Sequence, residues 1–179
     1  MRARVGLVIL AVVLGGCEEA RENTHPICEV RPPTILMAES VKWASMIPCV
    51  TSLPVGWRFA GFTAEDRRST FALDSEAGGE DALLVIFTTD CRDAARAGVP
   101  INGDEPGADV TQEIRSEDPY EAVRALRFDG GCAVYEMRFA SEAPVDRLVA
   151  DVGRAISFIE RDEIDRGIRD ELGLDPAGV

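Results

Sequence analysis

Apolar and polar residues alternate with a period of two over much of the chain. Residues 55–63 and 68–73 alternate in this way on either side of the charged triplet 65–67, which predicts a β-hairpin. Residues 82–89 are apolar on both alternating faces, as is typical of a central strand covered on two sides or of one covered by a helix. The first half of the chain therefore predicts strands that pair with near neighbours.

The same pattern continues after a region rich in turn residues. Residues 90–97 fit a short helix, and residues 98–109 form a loop because they contain three glycines and two prolines. Asp129, Gly130 and Gly131 predict a tight turn between two strands. The strands predicted in this half of the chain are residues 110–114, 122–128 and 132–139.

Apolar residues at helical spacing predict helices before and after the strands. A helix is predicted at residues 37–46, where Pro48 and Pro54 forbid its continuation. The C-terminal stretch reads as two helices broken near Glu160 or as one bent helix, ending near Gly173. Its apolar positions are Val145, Leu148, Val149, Val152, Ile156, Ile159, Ile164, Ile168 and Leu172.

Strands followed by a terminal helix predict an α+β fold. We expect an antiparallel sheet of about five or six strands, with a C-terminal amphipathic helix, or two, packed on one face. The predicted division of the chain is a signal peptide (1–16), an N-terminal polar linker (17–33), one domain (34–173) and a tail (174–179).

Composition and charge exclude several classes of protein. With 46% hydrophobic residues the chain is not intrinsically disordered, and no stretch reaches the ~18 apolar residues of a spanning helix. The formal net charge of −13 and a pI near 4.5 argue against nucleic acid or an anionic membrane surface as an electrostatic partner.

The first residues have the anatomy of an export signal. Arg2 and Arg4 provide the positive region, and an apolar run follows at residues 5–14. As a helix, the roughly twelve residues from Val5 to Gly16 would reach about 18 Å, against a hydrocarbon core of ~30 Å, so they are too short for a permanent membrane anchor.

The end of this signal resembles the lipobox of bacterial lipoproteins. Leu14, Gly15 and Gly16 precede Cys17, as an aliphatic and two small residues precede the obligatory cysteine of that family. The resemblance implies cleavage before Cys17 and attachment of diacylglycerol, with acyl chains of the palmitate type, to its thiol. It places the protein on the extracytoplasmic face of the cell membrane.

Other readings of Cys17 remain open from the sequence. An ordinary signal peptidase site could follow Ala20, Cys17 could be a structural thiol, or the signal could stay as an uncleaved anchor. Loss of Arg2 and Arg4 would make the negative chain still more negative, so a lipid rather than a basic face would hold it on the membrane. The scarcity of lysine beside many arginines resembles actinobacterial composition.

Four cysteines remain for the domain: Cys28, Cys49, Cys91 and Cys132. They form none of the close pairs typical of zinc sites, and His25 is the only histidine. In an exported protein an even number of cysteines indicates disulfides. We favour Cys28–Cys49 with Cys91–Cys132, although the two crossed pairings remain possible. Each bridge would add ~3–4 kcal/mol by the loop-entropy estimate.

The sequence offers no convincing catalytic, cofactor or metal site. His25 falls in the predicted linker as a solvated residue, which argues against a Ser/His/Asp triad, and Lys42 near Ser40 and Ser45 is weak ground for a Ser–Lys dyad. Acidic residues of the 98–109 loop (Asp104, Glu105 and Asp109) lack the regular spacing of an EF-hand and fit a solvated loop.

Trp57 follows Leu53, Pro54 and Gly56 at the entry to the first predicted strand. This entry resembles that of several small extracytoplasmic lipoproteins, and we expect Trp57 to anchor the core.

These observations predict a membrane-anchored extracytoplasmic lipoprotein that binds or scaffolds a component of the cell envelope without catalysis. Its partner would be an envelope protein or a small ligand, and not nucleic acid. The alternative is a ligand-binding or sensor accessory of a transport or envelope enzyme system, with the sheet face or residues 98–109 as its site. A hydrolase without a recognisable motif is less favoured.

Overall fold

Two antiparallel sheets and three short helices make up the described part of the chain, residues 25–92, 98–101 and 107–172 of a computed structural model. Residues 1–16, Cys17, Asp104, Glu105 and the predicted tail lie outside the described residues. The elements are α1 (Pro32–Ser40), β1 (Met46–Val50), β2 (Trp57–Glu65), β3 (Arg68–Ser75), β4 (Gly79–Thr88), β5 (Val99–Pro100), β6 (Asp109–Glu117), β7 (Tyr120–Phe128), β8 (Gly131–Phe139), α2 (Val145–Ala155), β9 (Ile156–Glu160) and α3 (Arg161–Leu172).

The larger sheet has seven strands in the order β2-β3-β4-β8-β7-β6-β5, all antiparallel to their neighbours. The predicted antiparallel sheet is confirmed, and all six strands predicted from the sequence belong to it. The seventh strand is β5, a two-residue strand inside the predicted 98–109 loop. Its pairing with β6 is not visible in its own sequence, because Val99 and Pro100 carry no periodic pattern.

A second sheet joins β1 to β9, and it corrects two predictions. The helix predicted at residues 37–46 ends at Ser40, and the C-terminal apolar stretch is helix, strand and helix rather than one bent helix or two adjacent ones. Cys49 lies opposite Ser157 in this pair. Each of these five-residue strands forms by pairing with a partner that lies far away in the chain. The periodicity of a local segment contains no information about such a distant partner.

One face of the central strands supplies most of the core. The register aligns Phe71 with Val85, and Val85 with Tyr135, so their side chains share a face. Buried residues of the helices belong to the same cluster. Its largest fully buried side chains are Phe71, Phe87, Phe139, Met37, Ile47, Leu73, Leu83, Met137, Leu148, Ile164, Val41 and Val50.

Trp57 belongs to this core, as predicted. Its side chain is 7% exposed, and its indole N–H donates a hydrogen bond of 3.2 Å to the carboxylate of Asp151 on α2. Asp151 is itself buried, and the guanidinium groups of Arg147 and Arg154 pair with it. The charges of these two arginines allow a carboxylate to remain at this depth.

The favoured disulfide pairing is the one found. Cys28 is bonded to Cys49 across a Cα separation of 4.9 Å, and Cys91 to Cys132 across 5.8 Å. The chain before α1, assigned from sequence to the linker, contacts the domain, because Ile27 forms a parallel bridge with Val50. Among the described residues, none of the helices is long and apolar enough to cross a membrane.

Candidate functional site

A cleft of about 920 Å³ opens at the end of the seven-stranded sheet where β7 turns into β8. The segment between α1 and β1, the start of β6 and the start of α3 complete its walls. We call it the Trp43 cleft. Its charged and aromatic lining residues are Lys42, Trp43, Asp109, Arg127, Phe128, Asp129, Glu160, Arg161, Asp162 and Asp165.

Trp43 is the unusual member of this lining. Its side chain is 83% exposed, whereas Val41 and Ala44 on either side are fully buried. Trp43 falls within the helix predicted at residues 37–46, but the helix ends at Ser40. The buried neighbours fix the position of this segment, so the indole of Trp43 stays in solvent. There it contributes no hydrophobic free energy to folding.

Arg161 fixes the backbone beneath Trp43. Its guanidinium donates hydrogen bonds to the carbonyl oxygens of Ala38, Val41 and Ala44, at 2.7, 2.8 and 3.1 Å. The positive charge therefore lies at the C-terminal end of α1, where helix carbonyls lack internal partners. Burial lowers the pKa of Arg161 from its ordinary value, although the nearby carboxylates of Asp165 and Glu39 oppose this shift.

The β7–β8 turn supports the same segment from the other side. The amide of Ser45 donates to the carbonyl of Asp129 at 2.8 Å. Gly130 has φ +78°, and a Cβ added there would overlap the carbonyl of Trp43. Glycine is required here both for the backbone angle and for the close approach of the two segments.

The charges of the cleft have few partners within the protein. Among the described residues, no ion pair within 4.0 Å involves Lys42, Arg127 or any of the five lining carboxylates. Lys42 is the only lysine of the chain, and it stands beside the exposed tryptophan. The site thus presents an aromatic surface and hydrated charges of both signs.

A smaller, more basic cleft of about 450 Å³ adjoins the first one. Arg67, Arg92 and Arg127 line it, and both clefts include Arg127 and the disulfide-bonded Cys91. Hydrogen bonds from Arg92 are the main cause that lowers the pKa of Asp90 to about 2, so this carboxylate stays ionised. The end of the sheet therefore has an acidic side near α3 and a basic side near Cys91.

The other candidate residues do not assemble into a catalytic group. The ring of His25 lies 5.3 Å from that of Phe59, and partial burial lowers the pKa of His25. The expectation of a solvated histidine in the linker is therefore wrong. The Ser40 hydroxyl is buried and donates to the carbonyl of Met37, whereas Lys42 is exposed. Of the acidic residues in the predicted loop, Asp109 lines the cleft.

The described chain enters the domain at the end opposite the cleft. The amide of Val50 donates to the carbonyl of Pro26, whereas Met46, at the other end of β1, lines the cleft. At ~3.3 Å per residue, β1 separates these two points by about 13 Å. Comparisons with models of protein families, with curated proteins and with solved structures find no significant match for this chain.

Proposed function

We propose that the protein is an extracytoplasmic lipoprotein, anchored through Cys17, that presents the Trp43 cleft away from the membrane to a binding partner. The observation that carries this proposal is the position of the two ends of β1. The chain coming from Cys17 meets the domain beside Val50, and the cleft opens beyond Met46. A tether at one end leaves the other end free for a partner.

The length of the tether is consistent with this arrangement. Seven residues lie between Cys17 and His25, and a flexible segment of that length would span about 15 Å root-mean-square. The negative net charge of the chain gives no attraction to anionic headgroups, so the domain would stand off the bilayer. Two acyl chains on Cys17 would hold it firmly, because each buried methylene contributes ~0.8 kcal/mol.

Binding is favoured over catalysis by the contents of the cleft. The only histidine of the chain, His25, packs against Phe59 near the entry end, so it does not serve as a base at the cleft. What the cleft offers is an exposed tryptophan, the side chain most enriched at protein-binding hot spots, on a fixed backbone.

A role as ligand-binding or sensor accessory is the second candidate. Gly107 and Asp109, which end the predicted 98–109 loop, line the cleft, so this loop borders the proposed site.

We also propose that α2 and α3 cover one face of the large sheet. Support comes from the Trp57–Asp151 hydrogen bond between β2 and α2 and from the buried Ile164 of α3 in the shared core.

The anchor is tested by Cys17→Ala, with Thr24→Ala as a control outside the lipobox. We expect the wild type and Thr24→Ala to sediment with membranes and to yield an N-terminal peptide that starts at a diacylglyceryl-modified Cys17. Cys17→Ala should be found as unprocessed precursor or as soluble protein. A wild-type mature chain that begins after Ala20 without lipid would overturn the proposal.

A further inference from the structure

We infer that the Trp43 cleft binds a basic, arginine- or lysine-containing segment of a partner protein. This inference rests on the proposal that the cleft is the binding site, and it names the chemistry of the partner. Three properties of the cleft lead to it: the exposed indole, the excess of carboxylates over cationic side chains in its lining, and the exposure of that charged lining to solvent.

The indole of Trp43 is placed to receive a cation. Its neighbours Val41 and Ala44 are buried, and three hydrogen bonds from Arg161 hold the backbone between α1 and β1, so the ring is presented without a cost of ordering the loop. Tryptophan is the aromatic side chain that binds Arg and Lys cations best through its ring face.

The balance of charge in the cleft favours the same partner. Five carboxylates line the cleft against three cationic side chains, those of Lys42, Arg127 and Arg161. Four of the carboxylates, those of Asp129, Glu160, Asp162 and Asp165, lie on the β7–β8 turn, the end of β9 and the start of α3. Asp162 also lies in the first turn of α3, where it stabilises the helix N-terminus and remains exposed to solvent. With a net charge of −13, the whole chain attracts a cationic partner at long range.

The arginine side chains on the basic side limit how far a cationic segment can extend along the cleft. Arg127 lines the cleft, and Arg67 and Arg92 continue beyond it. A cationic segment is repelled there and is held between Trp43 and α3. Removal of the Arg127 charge should therefore not weaken binding, which is the opposite of what an anionic ligand would require.

The lining fits a macromolecular segment better than an enclosed small ligand. Small-molecule sites are mostly apolar and bury most of the ligand surface. Here the charged lining residues Lys42, Asp109, Arg127, Asp129, Glu160 and Asp162 are all exposed. An exposed aromatic anchor surrounded by a polar rim is instead typical of protein interfaces.

The test uses the full exported chain, purified in detergent, and a fluorescein-labelled tetra-arginine peptide with blocked ends. Binding is followed by fluorescence anisotropy at ~0.15 M salt, where the Debye length is about 8 Å and distant charges are largely screened. We expect saturable binding, and at least tenfold weaker binding of the matched peptide in which citrulline, a neutral isostere, replaces arginine. Equal binding of the two peptides would overturn the inference.

Two sets of variants locate the site. Trp43→Ala and the triple variant Asp129→Asn/Asp162→Asn/Asp165→Asn should each weaken binding about tenfold, with unchanged circular dichroism. The matched control is Glu80→Gln/Glu117→Gln/Glu121→Gln, which removes three exposed carboxylates from the opposite ends of the strands. The inference fails if this control weakens binding as much as the cleft variants do, or if Arg127→Ala weakens it.

The anchor and the cleft are tested separately. Membrane fractionation of Cys17→Ala reports only on the lipid, whereas the peptide titration reports only on the cleft. If the chain proves to be secreted but Trp43→Ala still weakens peptide binding, the anchor proposal fails and the cleft inference stands. If the chain is lipidated but the arginine peptide does not bind, the inference alone fails.

Discussion

Arg161 links the stability of the domain to the presentation of Trp43. Replacement by methionine keeps an unbranched side chain but removes the donors to the carbonyls of Ala38, Val41 and Ala44. Hydrogen bonds from charged groups contribute ~1.5–3 kcal/mol each to stability. We take a value below this range, because the guanidinium is only half-buried and water can form part of the lost hydrogen bonds in the variant. At ~1 kcal/mol for each of the three bonds, we expect a loss of about 3 kcal/mol.

Thermal unfolding followed by circular dichroism measures this loss. For a domain of this size, ~3 kcal/mol corresponds to a decrease in Tm of about 10 °C. Arg161→Lys keeps the charge but not the planar fork of donors, so its Tm should lie between those of the wild type and the methionine variant. Arg166→Met, an exposed arginine on the same helix, is the control and should change Tm by less than ~2 °C.

Hydrogen exchange gives an independent local measurement. The amide of Ser45 is bonded to the carbonyl of Asp129, and it should exchange faster in Arg161→Met than in Arg166→Met. The reasoning is refuted if Arg161→Met is as stable as the Arg166→Met control, or if Arg161→Lys matches the wild type. Either result would mean that the three carbonyls do not depend on the guanidinium.

Three further predictions concern other parts of the fold. Gly130→Ala should destabilise the protein by more than ~2 kcal/mol in urea unfolding, because its added Cβ overlaps the backbone of Trp43. The control is Gly153→Ala in α2, whose added Cβ would meet no atom within 4 Å and which should be neutral or stabilising by ~0.5–1 kcal/mol. Trp57→Phe should cost ~1–2 kcal/mol through loss of a hydrogen bond to a buried carboxylate, and an equal effect of Trp43→Phe at the exposed site would contradict this. The folded-state pKa of His25 lies below 6.5, so the unfolded chain binds the proton more readily and stability is lost as pH falls through 6.5. The free energy of unfolding of the wild type relative to His25→Gln should decrease between pH ~7.5 and ~5.5, and a constant difference would show that His25 does not contribute.

Local patterns in the sequence determined most of the large sheet and favoured the disulfide pairing that the structure contains. The hairpin of β2 and β3 follows from alternation around three charged residues, and the β7–β8 turn follows from Asp129 and Gly130. In both, the residues that pair are close in sequence, so the pattern contains the information. The same patterns favour the pairing of Cys91, which follows one predicted strand, with Cys132, which begins another, but only the structure excludes the crossed pairings.

Only the tertiary structure decided the second sheet and the site. The pairing of β1 with β9 joins distant segments, and it converts part of an apparent helix into a strand at Ile156. The backbone that presents Trp43 is held by Arg161 and Gly130, which lie far from it in the chain and approach this segment only after folding. An apolar residue next to other apolar residues predicts burial, and nothing local distinguishes the indole that the fold leaves in solvent. Local sequence patterns determined the six longer strands of the large sheet, whereas contacts between distant segments decided the remaining strands and which aromatic side chain stays exposed.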